Sequence, residues 1–217
     1  MGKKKTDDMF FGITLNEGQE VLRDAIMSED NQVIMVNAVA GSGKTLVSVA
    51  CARLLCAYKG YDSAVYVFPT VEEGALGYRP GTTTEKESDY LEPLYDALTN
   101  INEVPRQAVM SDISLKNGTA WIEARSCTFM RGINLKHKVV IIDECQNLSV
   151  PLIKRIVSRC HDDCKVIICG CTAQTDIPIE RSGFQQLIDY LSTYDKVAVC
   201  ELPVSYRGWL AQAIDRL

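Results

Sequence analysis

"NAVAGSGKT", Asn37 to Thr45, is the stretch on which the fold of this chain turns. It fits the pattern Gly-x-x-x-x-Gly-Lys-Ser/Thr at every fixed position except the first, where Ala38 stands for glycine. In such a P-loop the backbone amides turn inward to cradle phosphates, and the helix that follows adds its positive N-terminal dipole. Gly41 and Gly43 let the backbone approach that closely. The first position only starts the turn out of the strand, so alanine is tolerated there provided its φ stays negative. The expected phosphate-binding residues are Ala40, Gly41, Ser42, Gly43, Lys44 and Thr45, with Lys44 on the terminal phosphates and the Thr45 hydroxyl on Mg²⁺. The plainer alternative is a glycine-rich turn without a ligand.

The flanking sequence weighs against that alternative. "QVIMVN" (32–37) reads as a buried strand and "TLVSVACARLLCAY" (45–58) as a long helix, which is the context a P-loop requires. Before them, "EGQEVLRDAIM" (17–27) places Val21, Leu22, Ala25 and Ile26 on one helical face. After them come the apolar strands 64–68, 138–144, 165–170 and 196–202, with helical stretches at 151–160 and 183–191. Near-continuous apolar strands alternating with helices predict a mostly parallel sheet covered on both faces, an α/β protein of three layers. Residues from about 70 to 131 break the rhythm and are expected to be an irregular insertion, with a short helix at 90–101 and a strand or hairpin arm at 119–124.

"VVIIDEC" supplies the other half of a site, because it puts Asp143 and Glu144 at the C-terminal end of a strand, where ligands of open α/β sheets bind. Asp143 is suited to hold Mg²⁺ through water, and Glu144 to orient or deprotonate an attacking water. A solvated strand end is the bland reading of the same pair. An adjacent base favours hydrolysis of a nucleoside triphosphate over transfer to a small acceptor.

The chain has 217 residues, 47% hydrophobic and 24% charged, which predicts one globular domain at 13–217 behind a basic tail at 1–12. A net charge of -5 disfavours an overall polyanion binder but leaves room for a local basic face or ring lumen. Nine cysteines, an odd number, without an apolar N-terminal stretch argue against a secreted disulfide framework and for a cytoplasmic protein. No uncharged apolar run approaches the roughly 20 residues needed to span a bilayer, so no membrane partner is expected. "MGKKKT" matches a myristoylation pattern through Gly2 and Thr6, although a solvated basic tail accounts for it equally simply. Cys160, His161, Cys164, Cys169 and Cys171 have soft-ligand chemistry, but Cys169 falls in a predicted strand and the spacing suits buried small hydrophobes better than zinc.

"NAVAGSGKT", "PTVEEGALGYRPGTTTEKESDYLEPLYDAL", "TFMRGINL" and "IIDECQNL", in that order, resemble the PhoH-like ATPases, including the phage-borne ones. The resemblance runs from about Thr14 to the C-terminus and implies a RecA-like P-loop core related to superfamily-one helicases, with ATP and Mg²⁺ as ligands. "LNEGQ" is similar to that superfamily's Q-motif, which implies Gln19 on the adenine edge; an exposed helix-start glutamine is the alternative. "DECQ" implies a nucleotide-sensing Gln146. "GCTAQTD" departs from the family's Gly-Asp-x-x-Gln, since Cys171 takes the aspartate's place while Gln174 is retained to sense the γ-phosphate or orient water. Hydrolysis in such folds needs an arginine on the transition-state charge, and Arg207 and Arg131 both stand in family segments. A single lobe implies a ring, a hexamer by resemblance, with an arginine reaching across each interface. The helicase kinship implies RNA or single-stranded nucleic acid as partner; Tyr78, Arg79, Arg106 and Arg131 are the candidates for such a surface, with plain loop roles as the alternative. A slow nucleotide-dependent assembly switch is the competing class, and adenine versus guanine preference stays open.

Overall fold

The computed structural model describes residues 10–69 and 83–214. Gly2 and Thr6 of the basic tail, and Tyr78 and Arg79 of the middle stretch, lie outside the described residues.

Six strands form one sheet: β1 (Val33–Ala38), β2 (Ser63–Phe68), β3 (Ile122–Ser126), β4 (Lys138–Ile142), β5 (Lys165–Gly170) and β6 (Val197–Leu202). Their order is β3-β2-β4-β5-β1-β6, and each pairing is parallel, where the sequence had predicted a mostly parallel sheet. Alternate residues of each central strand feed two separate cores, as the two-residue period of a strand requires. Ile34, Val36, Tyr66, Ile141, Ile167 and Cys169 face one core with α1 (Glu17–Met27), α2 (Lys44–Tyr58) and α3 (Thr83–Asn100). Met35, Val65, Val67, Val140, Ile142 and Ile168 face the other with α6 (Val150–Val157) and α7 (Phe184–Leu191). This is the three-layer α/β/α sandwich.

Helix α1 begins with a capping box, in which the Asn16 side chain accepts from the Gln19 amide at 2.8 Å and Gln19 Oε1 accepts from the Asn16 amide at 3.1 Å. Its buried stripe runs through Gln19, Leu22 and Ile26, whereas Val21, expected on that face, is 55% exposed. The difference is a small rotation of the stripe, fixed by burial of the glutamine.

The middle stretch is more regular than its composition predicted. From residue 83 it forms α3, then α4 (Pro105–Ala108) and α5 (Asp112–Lys116), and delivers β3 parallel to β2 with Ala64 opposite Ile122. Of the strand or hairpin arm expected at 119–124, the structure has the strand, a parallel one at 122–126, because helices intervene and a parallel return needs such a crossover.

The strand order decides where chemistry can gather. β4, β5, β1 and β6 are consecutive neighbours in one parallel sheet, so the segments leaving their C-terminal ends all emerge at one edge. These are 143–147, 171–176, the P-loop, and the segment 203–208 that leads into α8 (Trp209–Ile214). No helix among the described residues is long and apolar enough to cross a membrane.

Candidate active site

Ala38 closes β1 with its side chain buried, and it is not among the residues with positive φ. The left-handed positions of the loop fall on Gly41 (φ 73°) and Gly43 (φ 84°), where a Cβ would be strained. Glycine is also required for space. A Cβ on Gly41 would stand 2.5 Å from Arg207 Cγ, and one on Gly43 would stand 2.7 Å from Gln19 Nε2. The loop is braced from both sides: Gln19 Nε2 donates to the Ser42 carbonyl at 2.8 Å, Ser205 Oγ donates to the Ala40 carbonyl at 2.8 Å, and the Tyr206 amide donates to the Gly41 carbonyl at 2.9 Å.

Directly below the loop the charged groups converge. Lys44 Nζ lies 2.7 Å from Glu144 Oε1, and Thr45 Oγ1 donates to Asp143 Oδ2 at 2.7 Å. Asp143 is 1% exposed, yet it accepts three hydrogen bonds: from Thr45, from Tyr66 OH at 2.8 Å and from the Glu144 amide at 2.9 Å. Burial pushes its carboxyl pKa up, a tendency opposed by Lys44 and by the hydrogen bonds from Thr45 and Tyr66. Burial acts on Glu144 in the same direction, but the Lys44 ammonium and the hydrogen bonds from Lys44 and Gln146 outweigh it and hold this carboxyl below the usual range. Burial works against the charge on Lys44, and Asp143 and Glu144 reverse that, so the ammonium is held above its ordinary value. Glu144 has φ 50°, a left-handed conformation that costs a non-glycine residue on the order of 1 kcal/mol. That turn aims its carboxylate back at Lys44 instead of along the strand.

Gln146 ties this wall to β5, because its Nε2 donates to Glu144 Oε2 at 2.6 Å and its Oε1 accepts from the Cys171 amide at 3.1 Å. Cys171, Gln174, Asp176 and Arg207 line a cleft of about 540 Å³ together with Ala40, Gly41, Lys44, Glu144 and Gln146. On the 171–176 loop the carboxylate facing this cleft is Asp176, whose Oδ2 accepts from Asn147 Nδ2 at 2.7 Å.

The structure thus brings Lys44, Thr45, Asp143, Glu144, Gln146, Gln174 and Arg207 together and separates others. Gln19 is buried under the P-loop, and its amide bonds Asn16 and Ser42, so the exposed helix-start alternative does not hold. Arg207 packs on its own chain's Gly41, so this arginine needs no neighbouring subunit to reach a P-loop. Arg131 is exposed beyond the end of β3, away from the residues of the cleft. Arg106 on α4 precedes the bridge of Val109 to Ile122 at the start of β3, so the two basic residues flank opposite ends of that strand. All nine cysteines are free, with Cys169 buried beside Ser48 Oγ.

Four contributors were not anticipated. Tyr66 is a buried phenol in a fully buried strand, and a buried hydroxyl demands a partner; that signal pointed to a site. Asn37, the polar residue ending an apolar run, bonds Thr172 on one side and Glu201 on the other. Ser205 and Tyr206 carry no local signal of their brace.

The residues fit an anionic, metal-associated ligand. Ser42 Oγ is buried in the loop with no hydrogen-bond partner, and α2 starts at Lys44 without a side-chain cap, so donors there await an acceptor. Below them the donor set offers a hydroxyl and a carboxylate oxygen, the hard oxygen chemistry that Mg²⁺ takes.

A family model described as PhoH-like protein matches residues 13–214. A PhoH-like protein of Mycobacterium leprae (strain TN) is 34% identical over 194 residues, 87% of this chain and 52% of the relative. The protein PhoH of Escherichia coli (strain K12) is 31% identical over 182 residues, 83% of this chain and 49% of the relative. The chain spans about half the length of these curated relatives. The crystal structure of Pif1 helicase from Candida albicans overlaps 93% of this chain and 42% of that chain at 14% identity, with a TM-score of 0.42, a likeness too loose to carry weight. The family match covers the P-loop, the carboxylates of β4 and the 203–208 segment alike, and on that extent the chain belongs to the PhoH-like proteins.

Proposed function

We propose that this protein is a Mg²⁺-dependent ATPase in which Lys44 and Arg207 neutralise the phosphates and Glu144 activates the attacking water. The observation that carries this reading is the meeting of Lys44 and Glu144 at 2.7 Å beside the Thr45–Asp143 pair. One cleft holds a cation for phosphate, two hard oxygen ligands and a base. Mg²⁺, when bound, supplies positive charge to the phosphate oxygens; the Thr45 hydroxyl and the Asp143 carboxylate would hold it.

In the geometry described, both oxygens of Glu144 are engaged, one by Lys44 and one by Gln146. A triphosphate competes for Lys44. As the ammonium moves to phosphate, Glu144 keeps its burial and loses its cation, which raises its pKa and makes it a stronger base. The substrate itself therefore arms the base, and Gln174 orients the water on the cleft's open side.

In the same reading, hydrolysis drives remodelling or unwinding of RNA or single-stranded nucleic acid within a ring, a hexamer, in the cytoplasm. Support comes from the one-lobed cleft, exposed at Ala173 and Asp176, a face left open to a neighbouring subunit. The second reading is a slow, nucleotide-dependent assembly switch. It is favoured by the engaged Glu144 and by Cys171 at a position that the resemblance expects to be acidic. Phosphate release from ATP, measured with and without Mg²⁺ and with and without single-stranded RNA, separates the two. Mg²⁺-dependent turnover stimulated by RNA supports the motor. Slow turnover indifferent to RNA, with assembly that follows ATP, supports the switch, and no turnover or binding overturns both.

A further inference from the structure

Tyr206 projects from the segment that follows β6 and is 62% exposed, although it is fixed at two points. Its backbone amide donates to the Gly41 carbonyl at 2.9 Å, and its hydroxyl accepts from Asn16 Nδ2 at 2.6 Å. Asn16 is the cap of α1, and Gln19 in the same capping box reaches Ser42. The ring is thus pinned between the P-loop and the start of α1 at the cleft's rim, with much of its surface left to solvent.

An aromatic ring held at both ends in water has lost freedom without gaining burial, which is the preorganisation a stacking partner exploits. Trp209, three residues on, is more exposed at 80%, and it starts α8 beyond the two points at which Tyr206 is fixed. The polar groups nearby are committed elsewhere. The Asn16 amide group is bonded to Gln19 and Tyr206, and the Gln19 amide group to Asn16 and Ser42. What this rim offers a nucleobase is therefore a face rather than a hydrogen-bonding edge.

We propose that Tyr206 is the base-binding residue of the site, stacking on the purine of a nucleoside triphosphate whose phosphates occupy the P-loop, and that it holds ATP and GTP alike. The proposal rests on the nucleotide-binding reading above. It assigns to Tyr206 the base contact that the resemblance had placed on Gln19, and it leaves Gln19 as a brace of the loop.

The test is calorimetric titration of the full chain with ATP, GTP and inorganic tripolyphosphate, for the wild type, Tyr206→Ala and Tyr206→Phe. Removing one base–aromatic stack predicts a roughly ten-fold weakening of ATP and GTP in Tyr206→Ala. Tripolyphosphate should stay within about two-fold, since it has no base. Tyr206→Phe keeps the ring and should keep most of the affinity. Equal weakening of tripolyphosphate would make Tyr206 a scaffold of the P-loop and overturn the proposal. So would an unchanged Kd, a loss confined to one purine, or a Phe variant as weak as Ala. Failure of the wild type to bind either ATP or tripolyphosphate would instead remove the nucleotide reading, and this inference with it.

Discussion

The two walls of the cleft hold the same loop by different physics. On the β4 side, Lys44, Asp143 and Glu144 are held by charge: the two carboxylates keep the ammonium charged, and the ammonium opposes the burial that works against each carboxylate. On the β6 side, Gln19, Ser205 and Tyr206 hold the loop's carbonyl groups by neutral hydrogen bonds, that of Gln19 buried and that of Ser205 partly so. A buried charge left without its partner costs several kcal/mol, whereas a neutral bond near water costs about 1 kcal/mol or less. In the proposed ATPase the first wall sets the chemistry, and the second fixes the loop's shape.

Substitutions along this contrast should grade accordingly. Glu144→Gln removes the base while keeping the bond to Gln146 and should lower turnover at least a hundred-fold with ATP still bound, as read by phosphate release and by calorimetry. Normal turnover in that protein would break the assignment of the β4 wall to chemistry. Lys44→Ala removes the cation from between two carboxylates, so ATP binding should fall on the order of a hundred-fold. Its melting temperature should also drop unless the pH is lowered enough to protonate a carboxylate.

Tyr66→Phe tests the same wall from beneath, by removing the donor to Asp143 Oδ2. Leaving Asp143 with one donor fewer should cost about 1–3 kcal/mol in urea unfolding, with little change in ATP affinity. Gly43→Ala combines a left-handed φ with a clash against Gln19 and should cost about 1–2 kcal/mol while misaligning the loop, a loss seen in both unfolding and tripolyphosphate binding. Ser205→Ala, on the neutral wall, should cost about 1 kcal/mol or less and leave turnover nearly intact. An effect as large as that of Tyr66→Phe would erase the distinction between the walls.

The thiols offer a check on the cores behind both walls. Burial pushes Cys56 up to about 11 and Cys160 up to about 12, so both stay protonated at neutral pH. An alkylating reagent should label few of the nine cysteines before unfolding and all of them afterwards.

How much of this was legible without coordinates follows from how local each signal is. Apolar strands buried on both faces carry a run that needs no context, so the sheet could be read from "QVIMVN", "AVYVF" and "KVIICG". The phosphate loop and its carboxylates were equally readable, because glycine, lysine and acid at those places answer to backbone geometry and charge within a few residues. In the middle stretch a helix and a short strand were legible, but the longer extent of the helix, the two short helices after it and the parallel pairing of the strand were not. Register and neighbours along a sheet depend on contacts across distant sequence, and composition does not record them.

The sequence by itself therefore determined the layered α/β class, the phosphate cradle and the pair of carboxylates, all consequences of periodicity and local backbone demands. Only the tertiary structure decided the strand order that sets β5 between β1 and β4, and with it the meeting of Lys44 with Glu144. It also decided that Tyr66 lies under Asp143, that Arg207 rests on its own Gly41, and that Gln19 braces the loop. Each of those contacts joins residues far apart in the chain, and their free energy exists only once the sheet has brought its strand ends to one edge.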